Sequence, residues 1–503
     1  MASDYKYGTQ AKLGDDIVKA SKTLGRIATA IGTSPVNLIR GYAEKGLVNK
    51  PLKLTSAKAK STIGYSKDWK HFTLSEVVKA FFDNVGGNVE PLYVINILNP
   101  DVHRKAEQTT QSLTFVNGQA SFASDTIILD TLAIAEKAEG VDYTVDYNFN
   151  SGKVIIDSNS ASVKLNGTVE ITYNEVDYTL LDSDETKAEL FIGNVSETGE
   201  RTGLQALDLV YMNHFVITNY LIAPHFTHIP SVRNAMVAKV QKFNDMWDAM
   251  CYTDIPTDEN SENLIDTRAK AITWKKENNY KSEREVVCYP KAKDSEGNVF
   301  HLSTLRCVEQ LRVDQNNNCI PFETAGNKSV DLVAKPYVAE SVDINGYTRS
   351  EANELTQKGI STLIPWEGVF KLWGHHTSSY EYGGTYNARA VFDTSINMLL
   401  YLMNSFTKEH ADEIDKPMKL SKKQDIEDTE NDKLRELVSM GALLEDPDGE
   451  SPIFKFNADN NPMGDIIEGY FTWDLGATPT PPFASGTANV AYTDAGFKAY
   501  FED

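Results

Sequence analysis

The residues able to hold a metal ion or act as a nucleophile are few: nine histidines and four cysteines in a chain of 503. His225-Phe226-Thr227-His228, with His214 upstream, is the best metal candidate, since three imidazoles suit a divalent ion with an open position. The spacing argues against it. Residues three apart point to opposite faces of a strand, and Pro224 and Pro230 deny the segment a helix. The expectation is ordinary loop or edge histidines and no metal. His375 and His376 are adjacent and diverge on any regular element, so no acid–base pair is expected there. Cys251, Cys288, Cys307 and Cys319 show no CxxC spacing and no signature of a Cys-His nucleophile, and four cysteines in so long a chain fit a reducing cytosol. The Walker phosphate loop, GxGxxG after a strand, HExxH and GxSxG are all missing. The acidic run near residues 425–436 lacks calcium-loop spacing and reads as a wet helix face. No catalytic residue, cofactor or metal is therefore expected. The residues give no argument for an enzyme, although residue types alone leave a cytosolic α/β enzyme open as an alternative.

The elements that would position such residues can be read from periodicity. Val36-Asn37-Leu38-Ile39 reads as a buried strand. Thr73-Leu74-Ser75-Glu76 has the form of a capping box, and Leu74, Val77, Val78, Phe81 and Phe82 follow at helical spacing to Gly86-Gly87. Residues 91–98 read as a strand buried on both faces. Strand, helix and strand open an α/β layer. From residue 103 to 182 the pattern turns to strands, with at most a short helix near Leu132–Lys137. Tyr143, Val145 and Tyr147 alternate, Asn150-Ser151-Gly152 turns, and Val154 and Ile156 follow. Val163 and Leu165 lead into Asn166-Gly167, a hairpin signal, with Val169, Ile171 and Tyr173 returning on one face. Helical spacing resumes with Val232, Met236, Val240, Phe243 and Trp247, whereas residues 285–345 read as strand-like and loop-rich. A helix is expected over Ala388 to Glu409, facing inward with Phe392, Ile396, Leu399, Leu400, Met403 and Phe406. A charged one follows over Ser421 to Val438, with Ile426, Leu434 and Val438 inside.

The fold class expected is mixed α/β and multidomain. An N-terminal arm spans 1–25, a discontinuous α/β core 26–102 and 183–370, and an inserted β-sandwich or barrel domain 103–182. A C-terminal α+β domain spans 371–485, and an arm 486–503. No period of 20–50 residues repeats, so a solenoid is not expected. The net charge of −22 repels phosphate and argues against direct nucleic-acid binding. No stretch of about 18 apolar residues occurs and residues 1–7 lack a signal-peptide core, so a soluble protein made in the cytosol is expected. The charge is uneven: residues 1–72 carry a net +8 and residues 409–503 a net −13. Opposite ends could steer one chain's tail to another's head, or both could be solvated faces.

Several segments in order resemble the contractile tail sheath proteins of phages and phage-tail-like bacteriocins. Gly41 to Pro51, followed by Leu74–Phe82 and Gly86-Gly87, is similar to that family's opening segment and first helix. Asn99-Pro100-Asp101-Val102-His103, the β-rich stretch and Asp142 to Tyr147 resemble its inserted outer domain. Ala352-Asn353-Glu354-Leu355, Gly359-Ile360 and Trp373-Gly374 to Thr377 match an "Ala-Asn-x-Leu … Gly-Ile … Trp-Gly-x-x-Thr" block. His375-His376 stand there in place of the usual basic residue. Lys416-Pro417-Met418, Gly441 to Leu444, Asn461-Pro462 and Pro481-Pro482 complete the set.

The resemblance implies a structural subunit. It would stack as hexameric rings in a six-start helix around an inner tail tube and contract to drive that tube through a cell envelope. Its partners would be copies of itself, the tube protein, and baseplate and tail terminator proteins, with no membrane insertion. It would assemble in the bacterial cytoplasm and end in a virion tail or a released particle. A non-contractile lattice protein is the other alternative. Extended termini would add strands to neighbouring subunits, which assigns inter-subunit roles to Tyr5, Tyr7, Val490, Tyr492, Phe497, Ala499 and Phe501. Residues 371–485 would lie near the tube and the β insertion outside. Lys422, Lys423, Lys433 and Arg435 are the residues expected to touch the tube, through exposed ion pairs worth roughly 0–1 kcal/mol each.

Overall fold

Apolar runs without alternation become the strands of a central sheet. The computed structural model describes residues 25–83, 89–159, 164–257, 264–339, 342 and 344–501. Six parallel strands lie in the order Leu92–Asn96, Ala28–Gly32, Tyr220–Ile222, Met250–Asp254, Glu285–Cys288 and Ile360–Trp366. Antiparallel strands Pro51–Leu54 and Val369–Trp373 close the two edges. Residues 91–98 thus supply the expected strand, buried on both faces. The first strand is Ala28–Gly32, whereas Val36–Leu38, expected as a strand, is a 3-10 turn. Pro35 restricts its backbone there, and Val36 and Ile39 are buried by packing under the β insertion instead.

Both faces of the sheet are covered. Ala28, Ala30, Leu92, Val94, Ile222 and Tyr252 pack under the helices Leu74–Phe82 and Leu302–Asn316. Ile31, Tyr93, Ile95, Leu221 and Cys251 face the other layer, with Val232, Met236, Val240, Phe243 and Trp247, all buried. The helix expected from their spacing covers only Pro230–Lys239, and Phe243 and Trp247 bridge each other in a turn beyond it. The Leu74–Phe82 helix falls where expected, but its capping box does not form. Thr73 Oγ1 accepts from the backbone N–H of Thr33, and Glu76 turns inward. Gly86-Gly87 lie outside the described residues.

The largest departure from the sequence reading is the 15-residue helix Leu302–Asn316, in a stretch expected to be loops and strands. It lacks an apolar stripe because its polar residues are buried too. Arg306 pairs with Asp393 at 2.6 Å, both fully buried. Asp314 pairs with Arg26 at 3.0 Å and accepts from the Tyr220 hydroxyl. Gln310 Nε2 donates to Asp314 at 2.9 Å. Buried charges persist only when paired and hydrogen-bonded, so periodicity of apolar residues cannot reveal such a helix.

Residues 109–173 build two three-stranded antiparallel sheets around their own apolar cluster, including Phe115, Leu129, Tyr143, Val154, Ile156 and Ile171. Tyr143–Asn148 and Lys153–Ser158 form the expected hairpin, with alternate burial. Asn166-Gly167 is not a hairpin turn. The strand it opens, Gly167–Tyr173, pairs with Thr109–Phe115 and Ala133–Ile134 in the other sheet, and Val163 lies outside the described residues. The short helix near Leu132–Lys137 is replaced by a 3-10 turn at Leu129–Thr131 and the strand Ala133–Ile134.

Toward the C-terminus, the expected helix from Ala388 is a 3-10 turn at Ala388–Ala390 and a helix over Asp393–Glu409. It is wedged between two cores, Ile396 and Leu400 in one, Met398, Tyr401 and Leu402 in the other, so Met403 is left on the exposed side. The Leu420–Ser439 helix buries Ile426, Leu434 and Leu437, with Leu437 taking the place expected for Val438, and it also buries Glu430. Ile426, Leu434, Leu437, Leu443 and Phe454 belong to the same cluster as the sheet residues Leu221 and Cys251.

Candidate assembly surfaces and a Glu-His cluster

The "Ala-Asn … Gly-Ile … Trp-Gly … Thr" block proves to be one tight junction at the sheet edge. Trp373 Nε1 donates to Asn353 Oδ1 at 2.8 Å, joining its first and third parts. Gly359 adopts φ +65°, and a Cβ there would come within 2.5 Å of the Thr377 carbonyl. Thr377 Oγ1 in turn donates to the Ala390 carbonyl, and Ser378 Oγ to buried Glu285 at 2.6 Å. Glu285 is held by Arg233 and Thr253. The block therefore locks the sheet edge to the start of the Asp393–Glu409 helix.

The C-terminal segment leaves the body of the chain. Residues 480–494 have no regular structure, and Val490 is 94% and Phe501 87% exposed, with Tyr492, Phe497 and Ala499 exposed as well. Ala495–Tyr500 is a 3-10 helix, not the strand its alternation suggests, and among the described residues no strand pairs with it. Tyr5 and Tyr7 lie outside the described residues. Ile414, Leu420, Met463, Ile467 and Phe483 add further large exposed apolar side chains to this end of the chain.

The four basic residues on the Leu420–Ser439 helix each have a partner within the subunit. Lys422 pairs with Glu413 at 3.0 Å, Lys423 with Glu427 at 3.3 Å while lying over the Phe456 ring, and Arg435 with Asp432. Lys433 joins Glu409 at 3.1 Å and Glu430 at 2.7 Å. Glu430, which also accepts from His410, is held below the usual carboxylate range by these partners against the opposing effect of burial. Lys433 is thus tied into the subunit, whereas Arg435 is well exposed.

His214, His225 and His228 each find different partners. His214 contacts the Pro51 carbonyl, and His228 lies 3.7 Å from Asp184. His225 meets two residues that the sequence reading did not connect with it: Glu76, read as a capping residue, and His301, lying in the stretch read as loops. Oε2 of Glu76 is 3.0 Å from His225 Nε2 and 3.0 Å from His301 Nδ1, and the His301 backbone N–H donates to Oε1 at 2.6 Å. Glu76 is fully buried, yet attraction to His301 and the hydrogen bonds from both rings hold its carboxyl below the usual range, while burial lowers both imidazoles, His301 to about 3. A glutamate on the core side of the Leu74–Phe82 helix, beside Val77 and Ala80, was the one available signal. The cluster borders a cleft of about 1220 Å³, lined also by Lys70, Asp184, His228, Asp254 and Lys291.

The α/β body with an inserted pair of β-sheets and an exposed apolar C-terminal segment is a fold shared with solved contractile sheath structures. The fold matches the helical sheath of the anti-feeding prophage in its contracted state, with TM-score 0.54 and 12% identity over 97% of this chain and all of that one. It also matches the contracted PVC sheath complex of an extracellular contractile injection system, with TM-score 0.53 and 9% identity over 98% of this chain and all of that one. In sequence, the chain is a homologue of the tail sheath protein of Burkholderia phage BcepMu, 25% identical across 98% of each chain. No family model matches it. Among the described residues no helix is long and apolar enough to cross a membrane.

Proposed function

We propose that this chain is the structural subunit of a contractile tail sheath. It stacks as hexameric rings in a six-start helix around an inner tail tube, and its contraction drives that tube through a target envelope. The observation that carries the reading is the end-to-end match to a phage tail sheath protein, with a fold shared over nearly all of two sheath structures. The role is mechanical and not enzymatic. Copies of the chain assemble in the bacterial cytoplasm with the tube protein, a baseplate and a tail terminator, without direct nucleic-acid contact, and become part of a virion tail or a released particle. Head-to-tail contacts that do not close generate such helices.

The domain division belongs to the same reading: an α/β core, the β insertion at 103–182 facing outward, residues 371–485 near the tube, and terminal arms linking subunits. The arms would supply backbone hydrogen bonds that survive rotation of the bodies they join. Exposed Val490, Tyr492 and Phe501 suit a segment that gains order from a neighbour. Contraction would release a metastable extended packing into a more compact one, with a barrier between them and no nucleotide.

Negative-stain microscopy of the purified chain, alone and with the tube protein, tests this. Hollow tubes or stacked rings of uniform diameter are expected. Flat sheets would mark a non-contractile lattice protein, and a monomer that turns over a substrate would mark an enzyme.

A further inference from the structure

We propose that Glu76, His225 and His301 form a binding site for one divalent transition-metal ion of zinc-like character, a role beyond assembly and independent of it. One ligand atom from each residue lies within 4.8 Å of the other two. A tetrahedral ion bound at about 2.0–2.1 Å separates its ligands by roughly 3.3 Å. The 3.0 Å gaps between Glu76 and the two rings therefore need to open by only a few tenths of an ångström, and the two ring nitrogens, within 4.8 Å of each other, need to settle at the same separation.

Charge points the same way. Glu76 is fully buried, and among the described residues its ion-pair partners are these two imidazoles, with no lysine or arginine. A fully buried carboxylate with no lysine or arginine paired to it is costly, and a dication would offset it. Two imidazoles and one carboxylate select zinc, cobalt, nickel or ferrous ions over calcium and magnesium, which prefer all-oxygen sets. Three protein ligands leave a fourth position for water. The bordering cleft supplies a route for both ion and water, since His225 keeps a fifth of its side chain accessible.

The placement gives the ion a structural effect. Glu76 sits on the Leu74–Phe82 helix, His225 in the turn after the Tyr220–Ile222 strand, and His301 at the N-terminus of the Leu302–Asn316 helix. Segments 149 and 225 residues from Glu76 in sequence would be joined at one point. An ion that binds only the folded chain raises its stability by mass action.

The test uses the full chain without a histidine tag, stripped with EDTA and titrated with Co²⁺ as the spectroscopic probe, then with Zn²⁺ as competitor. One Co²⁺ per chain, with visible ligand-field bands displaced by Zn²⁺, and a Zn²⁺-dependent rise in Tm are expected. Glu76→Gln should weaken binding by more than about 100-fold, since losing even an outer-shell partner costs about 10–100-fold. Should that variant fail to fold, His225→Ala, which removes a partly exposed ring, must show the same loss. His228→Asn, in the same cleft but outside the cluster, must bind as the parent does. No stoichiometric Co²⁺ in the parent would mean a hydrogen-bonded network only, and binding that survives His225→Ala or disappears in His228→Asn would also overturn the assignment. Ion binding is read on subunits and tube formation by microscopy, so either reading can fail without the other.

Discussion

The rings of His375 and His376 lie with centroids 4.3 Å apart in one aromatic patch. They do not diverge as their adjacency in sequence suggests, because the segment is not a regular element there. His376 stacks on Tyr380, with centroids 3.7 Å apart, and its Nδ1 lies 2.7 Å from the Val391 carbonyl. His375 lies against Phe392, and burial lowers its pKa from 6.5 to about 3, with repulsion from His376 and Arg306 adding to the effect. A depressed folded-state value means that the unfolded chain binds the proton first. The stability contributed by the neutral ring is complete above pH 6.5 and is lost as the pH falls from there toward 3. Thermal unfolding followed from pH 7.5 to 4.5 should therefore show a Tm that drops with acid, and His375→Gln should flatten the drop. An unchanged slope in that variant would assign the acid sensitivity to other groups, such as His301.

At the scale of elements, the β insertion and the charged Leu420–Ser439 helix make separate predictions. Val154 is fully buried in a cluster drawn almost wholly from residues 113–173, to which the body contributes Leu38. Val154→Asp places an unpaired charge there, at a cost of several kcal/mol. Limited proteolysis should then cut within residues 104–182 while the rest of the chain stays resistant. Digestion of the whole chain at one rate would make insertion and body a single cooperative unit. On the charged helix, Lys422 and Lys423 pair with Glu413 and Glu427 at a partly exposed surface, so each pair is worth at most about 1 kcal/mol. The double change Lys422→Glu and Lys423→Glu should leave the Tm within a few degrees of the parent. It should reduce co-sedimentation with the tube protein at low salt. Unaltered co-sedimentation would make this helix a solvated face, as its intramolecular pairing also allows.

For the whole molecule, the decisive prediction concerns the ends. Phe497 and Phe501 are exposed and belong to none of the apolar clusters, so they contribute little to the subunit's own stability. Removing Phe497–Asp503 should leave Tm nearly unchanged while long tubes no longer form. Ordered tubes of normal length from the truncated chain would move the linking role elsewhere. The net +8 over residues 1–72 and −13 over residues 409–503 add a second expectation. Opposite charges meeting between subunits act within a Debye length of roughly 8–10 Å, so early assembly should slow as salt rises. Light scattering of the full chain at rising ionic strength measures this directly.

Local pattern alone determined the elements that present one apolar face or a doubly buried run: Leu74–Phe82, Leu92–Asn96, the Tyr143–Ser158 hairpin and the helix that carries Val232 and Met236, though not its end at Lys239. It also determined the order of motifs that resemble a sheath subunit, because short motifs keep their spacing even when each is weak. Only the tertiary structure decided the rest. The Leu302–Asn316 helix is buried through ion pairs with Arg26 and Asp393, residues far away in sequence, so no local period marks it. Gly167–Tyr173 chose a partner in the opposite sheet because strand pairing is settled by which face can be buried, not by the nearest turn. Glu76 passed for a capping residue until folding brought His225 and His301 to its carboxylate. A site assembled from three distant segments leaves no spacing to read, since its geometry exists only once the layers have packed.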